Sequence, residues 1–147
     1  MASSSPNPIK DYYIAYFDIL GYKDYFENHA DKVSEFQSMI HNSIQQANDS
    51  IYAINQSLIA GNYGNIKIDI KIFSDCFLLC MEITDMPTEP VRILVFLQTN
   101  ANIQLGFVNE YGLFVRGGIV MGQMSFNDDY VFGKGVIDAV AKEAEAQ

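Results

Sequence analysis

Two aspartates stand at matching places in this sequence. Asp18 follows the apolar run Tyr13-Ile14-Ala15-Tyr16-Phe17, and Asp75 follows Ile72-Phe73-Ser74. Each is a carboxylate at the tip of what reads as a strand. Hard divalent cations take oxygen ligands, so the two acids brought together could hold metal for nucleotide chemistry. The turn Ile19-Leu20-Gly21-Tyr22 follows Asp18 and opens a helical pattern. The free N–H groups of such a turn and helix start can hold phosphate oxygens. Metal and phosphate would then meet at one place. Aspartate also caps turns, which explains either residue singly about as well; two acids at matching strand ends favour a shared site.

The elements that must position these groups are legible in order. After the first strand a helix is expected from about Lys23, with a break at Asn28-His29-Ala30-Asp31. From Val33 onward Phe36, Ile40, Ile44, Ala47, Ile51, Ile54 and Leu58 recur at spacings of three and four, the stripe of a long amphipathic helix. Gly61 to Asn65 is a turn cluster. Ile66 to Phe73 alternates strictly, with the four isoleucines on one face and Lys67, Asp69, Lys71 and Phe73 on the other, a half-buried strand. Cys76 to Ile83 returns as an apolar strand, giving a hairpin with Asp75 at its tip.

Thr84 to Pro90 is a loop, and Val91 to about Tyr111 a second long helix with Gly112 as its terminator. Leu113 to Met124 is a strand carrying Gly117, Gly118 and Gly122, residues that often permit close approach of a ligand or another backbone. Asn127-Asp128-Asp129 is a turn, Tyr130 to Gly133 a short extended piece, and Gly135 to the end a helix. The order β-α-β-β-α-β, then β-α, predicts an α+β fold: a ferredoxin-like core with an antiparallel sheet covered by helices on one face, extended by one strand and one helix.

The sequence has 147 residues, is 49% hydrophobic and 13% aromatic, and carries a net charge of −9. That size suits one domain with a real core. Residues 1–10 are expected to be a disordered tail, and 11–147 a single domain. The acidic balance opposes a nucleic-acid surface but not a nucleotide, because cations can bridge acid to phosphate. No apolar run reaches the ~18 residues of a membrane span, and MASSSPNP lacks the features of a signal peptide. A cytoplasmic location is therefore the default expectation. Cys76 and Cys80 read as core residues, too far apart along one strand to bridge, and no Cys or His pair completes a zinc site. His29 and His41 read as surface residues.

From about residue 12 to its end the chain resembles the class III nucleotide cyclases. Phe17-Asp18-Ile19-Leu20-Gly21-Tyr22 is similar to that family's first metal motif, F-x-D-I-x-G-F, and Lys71-Ile72-Phe73-Ser74-Asp75 to its K-x-x-G-D hairpin, with Ser for Gly. Val115-Arg116-Gly117-Gly118-Ile119 resembles its R-x-G-I strand, and Phe132-Gly133 with Ala139 and Glu143 its closing helix, G-x-x-x-N-x-A-x-R-x-E. There are departures. The family's base-reading acid falls at Tyr130, its transition-state Asn at Ile137 and its Arg at Ala141. A purine cyclase without these three is expected to be poor or inactive. The wording FDILG and RGGI is more similar to the pyrimidine cyclases of bacterial Pycsar anti-phage systems, which make cyclic UMP or cyclic CMP. The chain also stops where the family runs on into another strand.

The resemblance implies a metal-dependent cyclase acting on a nucleoside triphosphate, UTP or CTP favoured, with two Mg²⁺ or Mn²⁺ ions per site. Asp18, Asp75 and the backbone carbonyl of Ile19 would be metal ligands. Leu20, Gly21 and Tyr22 would offer N–H groups to the β- and γ-phosphates, with the helix dipole helping. Arg116 would hold terminal phosphates, unless it is a surface ion pair. Lys71 falls at a base-reading position, but equally suits a solvated strand face; Tyr130 would wall the base pocket, or pack in an interface. The resemblance further implies a head-to-tail homodimer with shared sites, and a downstream effector that senses the cyclic nucleotide. Two alternatives stay open: a purine cyclase, and a non-catalytic nucleotide-binding or dimerisation module of the same fold.

Overall fold

Strand β1 (Lys10–Ile19) is apolar from Tyr12 to Phe17 because it lies in the middle of the sheet and is packed on both faces. The computed structural model describes residues 8–59 and 67–146. After β1 come α1 (Tyr22–Asn28), a 3-10 turn (Ala30–Lys32), α2 (Val33–Ile59), β2 (Asp69–Phe73) and β3 (Cys76–Glu82). Then follow α3 (Glu89–Tyr111), β4 (Val115–Phe126), β5 (Val131–Phe132) and α4 (Lys134–Glu145). The sheet order is β2-β3-β1-β4-β5, and every neighbouring pair is antiparallel. This is the expected ferredoxin-like core with one added strand and helix. The turn cluster Gly61–Asn65, Ile66 and the first seven residues lie outside the described residues. Lys10, expected in the tail, is instead the first residue of β1, paired with Met124.

Alternation along β1 sorts its side chains between two cores. Ala15, Phe17 and Ile19 join Val95, Phe96, Ile103 and Phe107 of α3 and Met39 of α2. Tyr12 and Ile14 face the other way, with Leu78, Cys80, Met124 and Ala139. Each large apolar side chain so buried stabilises the fold by roughly 1.5–3 kcal/mol. The core helices α2 and α3 share one face, as expected, and the added helix α4 lies on the opposite face, over β1 and β4. Glycine makes this possible. A Cβ on Gly122 would stand 2.6 Å from the Cα of Gly135, and one on Gly118 would stand 2.5 Å from the Cγ of Lys142. Gly117, on the other face, makes room for the Phe17 ring. These glycines thus serve packing within the chain, and at Gly122 the close approach is that of another backbone.

Helix α2 forms over the whole range that its stripe predicts. Val33, at the head of that stripe, is exposed and Met39 is buried instead; the side chains of Phe36, Ile40, Ile44, Ala47, Ile51, Ile54 and Leu58 lie outside the description. Gly112 ends α3 in the left-handed region at φ 64°, donating its N–H to Val108 O. No helix of the described residues is long and apolar enough to cross a membrane.

Candidate active site

Register places the first acid. Asp18 pairs with Cys76 of β3 on one side and Arg116 of β4 on the other, so Cys76, Asp18 and Arg116 form one row on the face that carries α4. The second acid is tied to the same strand end: the Ile19 N–H donates to the backbone carbonyl of Asp75 at 2.9 Å. The turn between β2 and β3 is tight. Ser74 holds φ 55°, a left-handed conformation that costs a non-glycine residue about 1–2 kcal/mol. The hairpin tip that presents Asp75 is therefore a strained one.

Arg116 does not wait in solvent. Its Nη2 donates to Asp18 Oδ2 at 3.1 Å and its Nε to Asp18 Oδ1 at 3.3 Å, while Nε also reaches Glu143 Oε1 of α4 at 2.7 Å. The side chains are 33% exposed for Arg116, 20% for Asp18 and 11% for Glu143. Hydrogen bonds from Arg116 to Asp18 first, and then to Glu143, hold the guanidinium pKa above its ordinary value. The ion-pair reading of Arg116 is thus realised, but with a candidate metal ligand as its partner. Sequence reasoning noted Glu143 only as part of a motif; its pairing across 27 residues depends on where α4 docks.

Cys76 belongs to this cluster and not to the core. It is half-buried, its Sγ donates to Asp75 Oδ1 at 3.7 Å, and burial pushes its thiol up from the ordinary value. Tyr16, on the same face, is hydrogen-bonded to Cys76, which together with burial raises the Tyr16 hydroxyl. Both groups stay protonated and neutral near neutral pH. Cys80 is fully buried, as expected, and both cysteines are free.

On the hairpin side a cavity of about 470 Å³ is lined by Tyr22, Lys23, Phe26, Glu27, Ser74 and Asp75. It joins the second acid to the first turn of α1. Lys23, which the sequence reading passed over, brings a cation to that wall; its position directly after the glycine turn was the available signal. Gly21 takes φ 77° at the head of α1. The Leu20 N–H donates to Phe114 O at 2.9 Å, so it is withdrawn from the groups expected to meet phosphate. Helix α1 has only seven residues, which leaves little macrodipole.

The residues expected to read a base lie elsewhere on this face. Lys71 is two strands from β1, donates from Nζ to Asp128 O at 2.6 Å, and lies 5.3 Å from the centroid of the Phe126 ring. Asp128 sits in the turn that also holds Tyr130, whose N–H donates to Asn127 Oδ1. Lys71 and Tyr130 are therefore gathered at one turn, apart from the two aspartates. Beside them a second cavity of about 310 Å³ is lined by Lys10, Tyr12, Lys67, Asp69, Glu82 and the 126–128 segment. On α4 the sheet side carries Ala139 and Glu143, and the outer side exposes Ile137 and Ala141.

Among the described residues no group of three or more His, Cys, Asp and Glu converges as a closed metal centre. Two carboxylates alone suit Mg²⁺ or Mn²⁺, which keep waters and bind through one or two carboxylates plus substrate phosphates. The donor set fits a hard cation that arrives with its nucleotide, and fits poorly one caged by protein alone.

No protein-family model matches the sequence, and no curated protein matches it. Solved structures do. The chain is similar to the adenylyl cyclase CyaB from P. aeruginosa, with a TM-score of 0.60 at 17% identity, over 97% of this chain and 76% of that one. It is also similar to a class III adenylyl cyclase-like ATP-binding protein from Pseudomonas aeruginosa, with a TM-score of 0.50 at 13% identity. That match takes in 100% of this chain but only 34% of the other, so the chain spans about a third of its length. At such identities the likeness establishes the fold, which is class III cyclase-like.

Proposed function

We propose that this chain is the cyclase unit of a metal-dependent nucleotide cyclase. It would convert a nucleoside triphosphate, UTP or CTP favoured, to the 3′,5′-cyclic monophosphate and pyrophosphate. The observation that carries the reading is the meeting of Asp18 and Asp75 at adjoining strand ends through the Ile19–Asp75 backbone bond, with Arg116 beside them. In the reaction the ribose 3′-oxygen forms a bond to the α-phosphorus, the bond to pyrophosphate breaks, and the hydroxyl proton passes to solvent. Bound Mg²⁺ or Mn²⁺ would supply a lower hydroxyl pKa and neutralise the triphosphate. Asp18 and Asp75, with the Ile19 carbonyl, would hold these ions; Arg116 would take terminal phosphate oxygens in its fork. Gly21 and Tyr22 would bring backbone to the phosphates.

Lys71 and Tyr130 would meet the base. The tyrosine supports the pyrimidine preference, since it narrows the place where a purine cyclase carries an acid. Because they stand apart from the aspartates, a site completed by a second copy of the chain, head to tail, suits the geometry. The exposed Phe132, Ile137 and Val140 supply apolar surface for it. On this reading the product is a second messenger in cytoplasmic anti-phage defence, read by an effector that senses cyclic nucleotides.

One observation favours a second reading, a nucleotide-binding module without turnover: Ile137 and Ala141 present no polar group on the outer face of α4. Incubation with each of the four triphosphates and Mn²⁺, followed by mass analysis, tests both. A cyclic pyrimidine nucleotide with pyrophosphate is the expected product. A cyclic purine nucleotide alone would move the chain to the purine cyclases, and binding without product would make it a binding module.

A further inference from the structure

We infer that Arg116 stands in for the metal on Asp18 in the free chain, and that Glu143 is the positioning residue that keeps Arg116 at the site when Asp18 is given up. The inference rests on the cyclase reading for the identity of the incoming ligand, a divalent cation with a triphosphate.

The geometry carries it. The guanidinium engages both oxygens of Asp18, at 3.1 and 3.3 Å. A divalent ion needs one of those oxygens directly, and the guanidinium that engages both opposes it by charge and competes for the same lone pairs. The bond to Glu143 is of another kind. At 2.7 Å it is the shortest of the three, and it comes from α4, on a separate element from either strand. The same Nε–H is shared between Asp18 and Glu143, and Glu143 is the nearer partner. Arg116 can therefore release Asp18 and remain anchored through Nε to a carboxylate only 11% exposed. The Nη2 that leaves Asp18 is then available to a phosphate oxygen.

The charges agree with such an exchange. Two carboxylates against one guanidinium leave the cluster net negative, which attracts a cation. A bare cation competes with the guanidinium without giving it a new anionic partner. A cation carried by a triphosphate brings that partner along. The cluster thus favours metal and nucleotide together over metal alone.

The test is a titration of the full chain with Mn²⁺ and no nucleotide, following free Mn²⁺ by electron paramagnetic resonance. Arg116→Gln should bind Mn²⁺ about tenfold more tightly than the parent, the scale of one charge-assisted contact. Glu143→Gln should bind it more weakly, because Arg116 then has Asp18 alone as its carboxylate. Loss of a positive or a negative charge near the site gives these two signs by Coulomb effects alone, so the deciding arm is Asp18→Asn/Arg116→Gln, in which the gain must vanish because Arg116 acts through Asp18. Unchanged or weaker binding in Arg116→Gln, tighter binding in Glu143→Gln, or a gain that survives in Asp18→Asn/Arg116→Gln would each overturn the inference.

A readout on the parent chain guards against misfolded variants. The Arg116 Nε–H resonance should shift on adding Mg²⁺ with a non-cyclisable triphosphate, yet stay protected from exchange; no shift, or loss of protection, refutes the anchoring role. Failure here is separable from failure of the cyclase reading. Cyclic product with no gain in Arg116→Gln sinks only this inference, whereas the gain without product from any triphosphate sinks only the cyclase.

Discussion

The N–H of Ile19 and the carbonyl of Asp75 are hydrogen-bonded at 2.9 Å, so the residue after the first candidate ligand is clamped to the second. The two acids cannot drift apart without breaking the join between β1 and the β2–β3 turn. Their spacing is set by the main chain and survives changes of side chain. Asp18→Asn and Asp75→Asn are therefore expected to keep the fold while each abolishes cyclase turnover. Product analysis beside circular dichroism checks this; full turnover in either folded variant removes the two-carboxylate site.

On the proposed reading, base choice turns on Tyr130. A pocket narrowed by its ring rejects a purine by overlap, while its hydroxyl can donate to a pyrimidine carbonyl. We expect kcat/KM for UTP or CTP to exceed that for ATP and GTP, and Tyr130→Asp to shrink the ratio by tenfold or more. A purine preferred tenfold by the parent chain would refute the assignment and leave the metal site standing.

Ser74 offers a test of the hairpin alone. Its φ of 55° is free to glycine and costs serine about 1–2 kcal/mol. Ser74→Gly should gain up to about 1 kcal/mol after the entropy of the unfolded glycine is deducted, visible as a higher Tm. An unchanged or lower Tm would mean that the turn is not strained.

A second polar cluster, far from the aspartates along β1, predicts a pH dependence. Glu89 accepts from the Tyr13 hydroxyl, the Thr84 hydroxyl and amide, and Arg92 Nε, and Arg92 Nη2 donates to Glu82 O. Burial pushes the Glu89 carboxyl up, yet the hydrogen bonds from Thr84 and Tyr13 and the charge of Arg92 outweigh it, so its pKa is lowered from 4.5. With the folded pKa below the unfolded one, the stability it contributes is present above about pH 4.5 and is lost as pH falls through the folded value. Glu89→Gln should cost about 2–4 kcal/mol at neutral pH, because Arg92, whose side chain is 4% exposed, loses its counter-charge. The variant should lose less of its remaining stability on acidification than the parent does; urea melts at pH 7 and pH 4 measure both.

The sequence showed its elements through local signals, and those held where the signal was local. Strand β2 follows its alternation only in part, starting at Asp69 where the strand was expected from Ile66, with Ile70 half-buried and Ile72 exposed; the glycine after α3 and the Asn127 turn act within a few residues. The two aspartates were legible for the same reason: each closes an apolar run. What escaped was set by docking at a distance. In α3, Leu94, Leu97 and Leu105 read as apolar and are exposed, whereas Arg92, Thr99 and Asn100 are buried. Apolar residues lie all round that helix, so periodicity could not choose its inner face. The pairing of Glu143 with Arg116 and the placing of α4 on the far side of the sheet are likewise set by tertiary docking, which no local spacing encodes.

The glycine contact beneath α4 makes that helix a lever. Its fulcrum is Gly135, resting on Gly122 with no room for a methyl group. Glu143 stands eight residues further along, about 12 Å at the rise of an α-helix. A tilt of roughly 5° at the fulcrum swings the far end by about 1 Å. That is enough to stretch the 2.7 Å bond to Arg116 beyond hydrogen-bonding reach. The smallest residue in the protein, placed far along the helix, thus calibrates the position of a charge in the Asp18–Arg116 cluster.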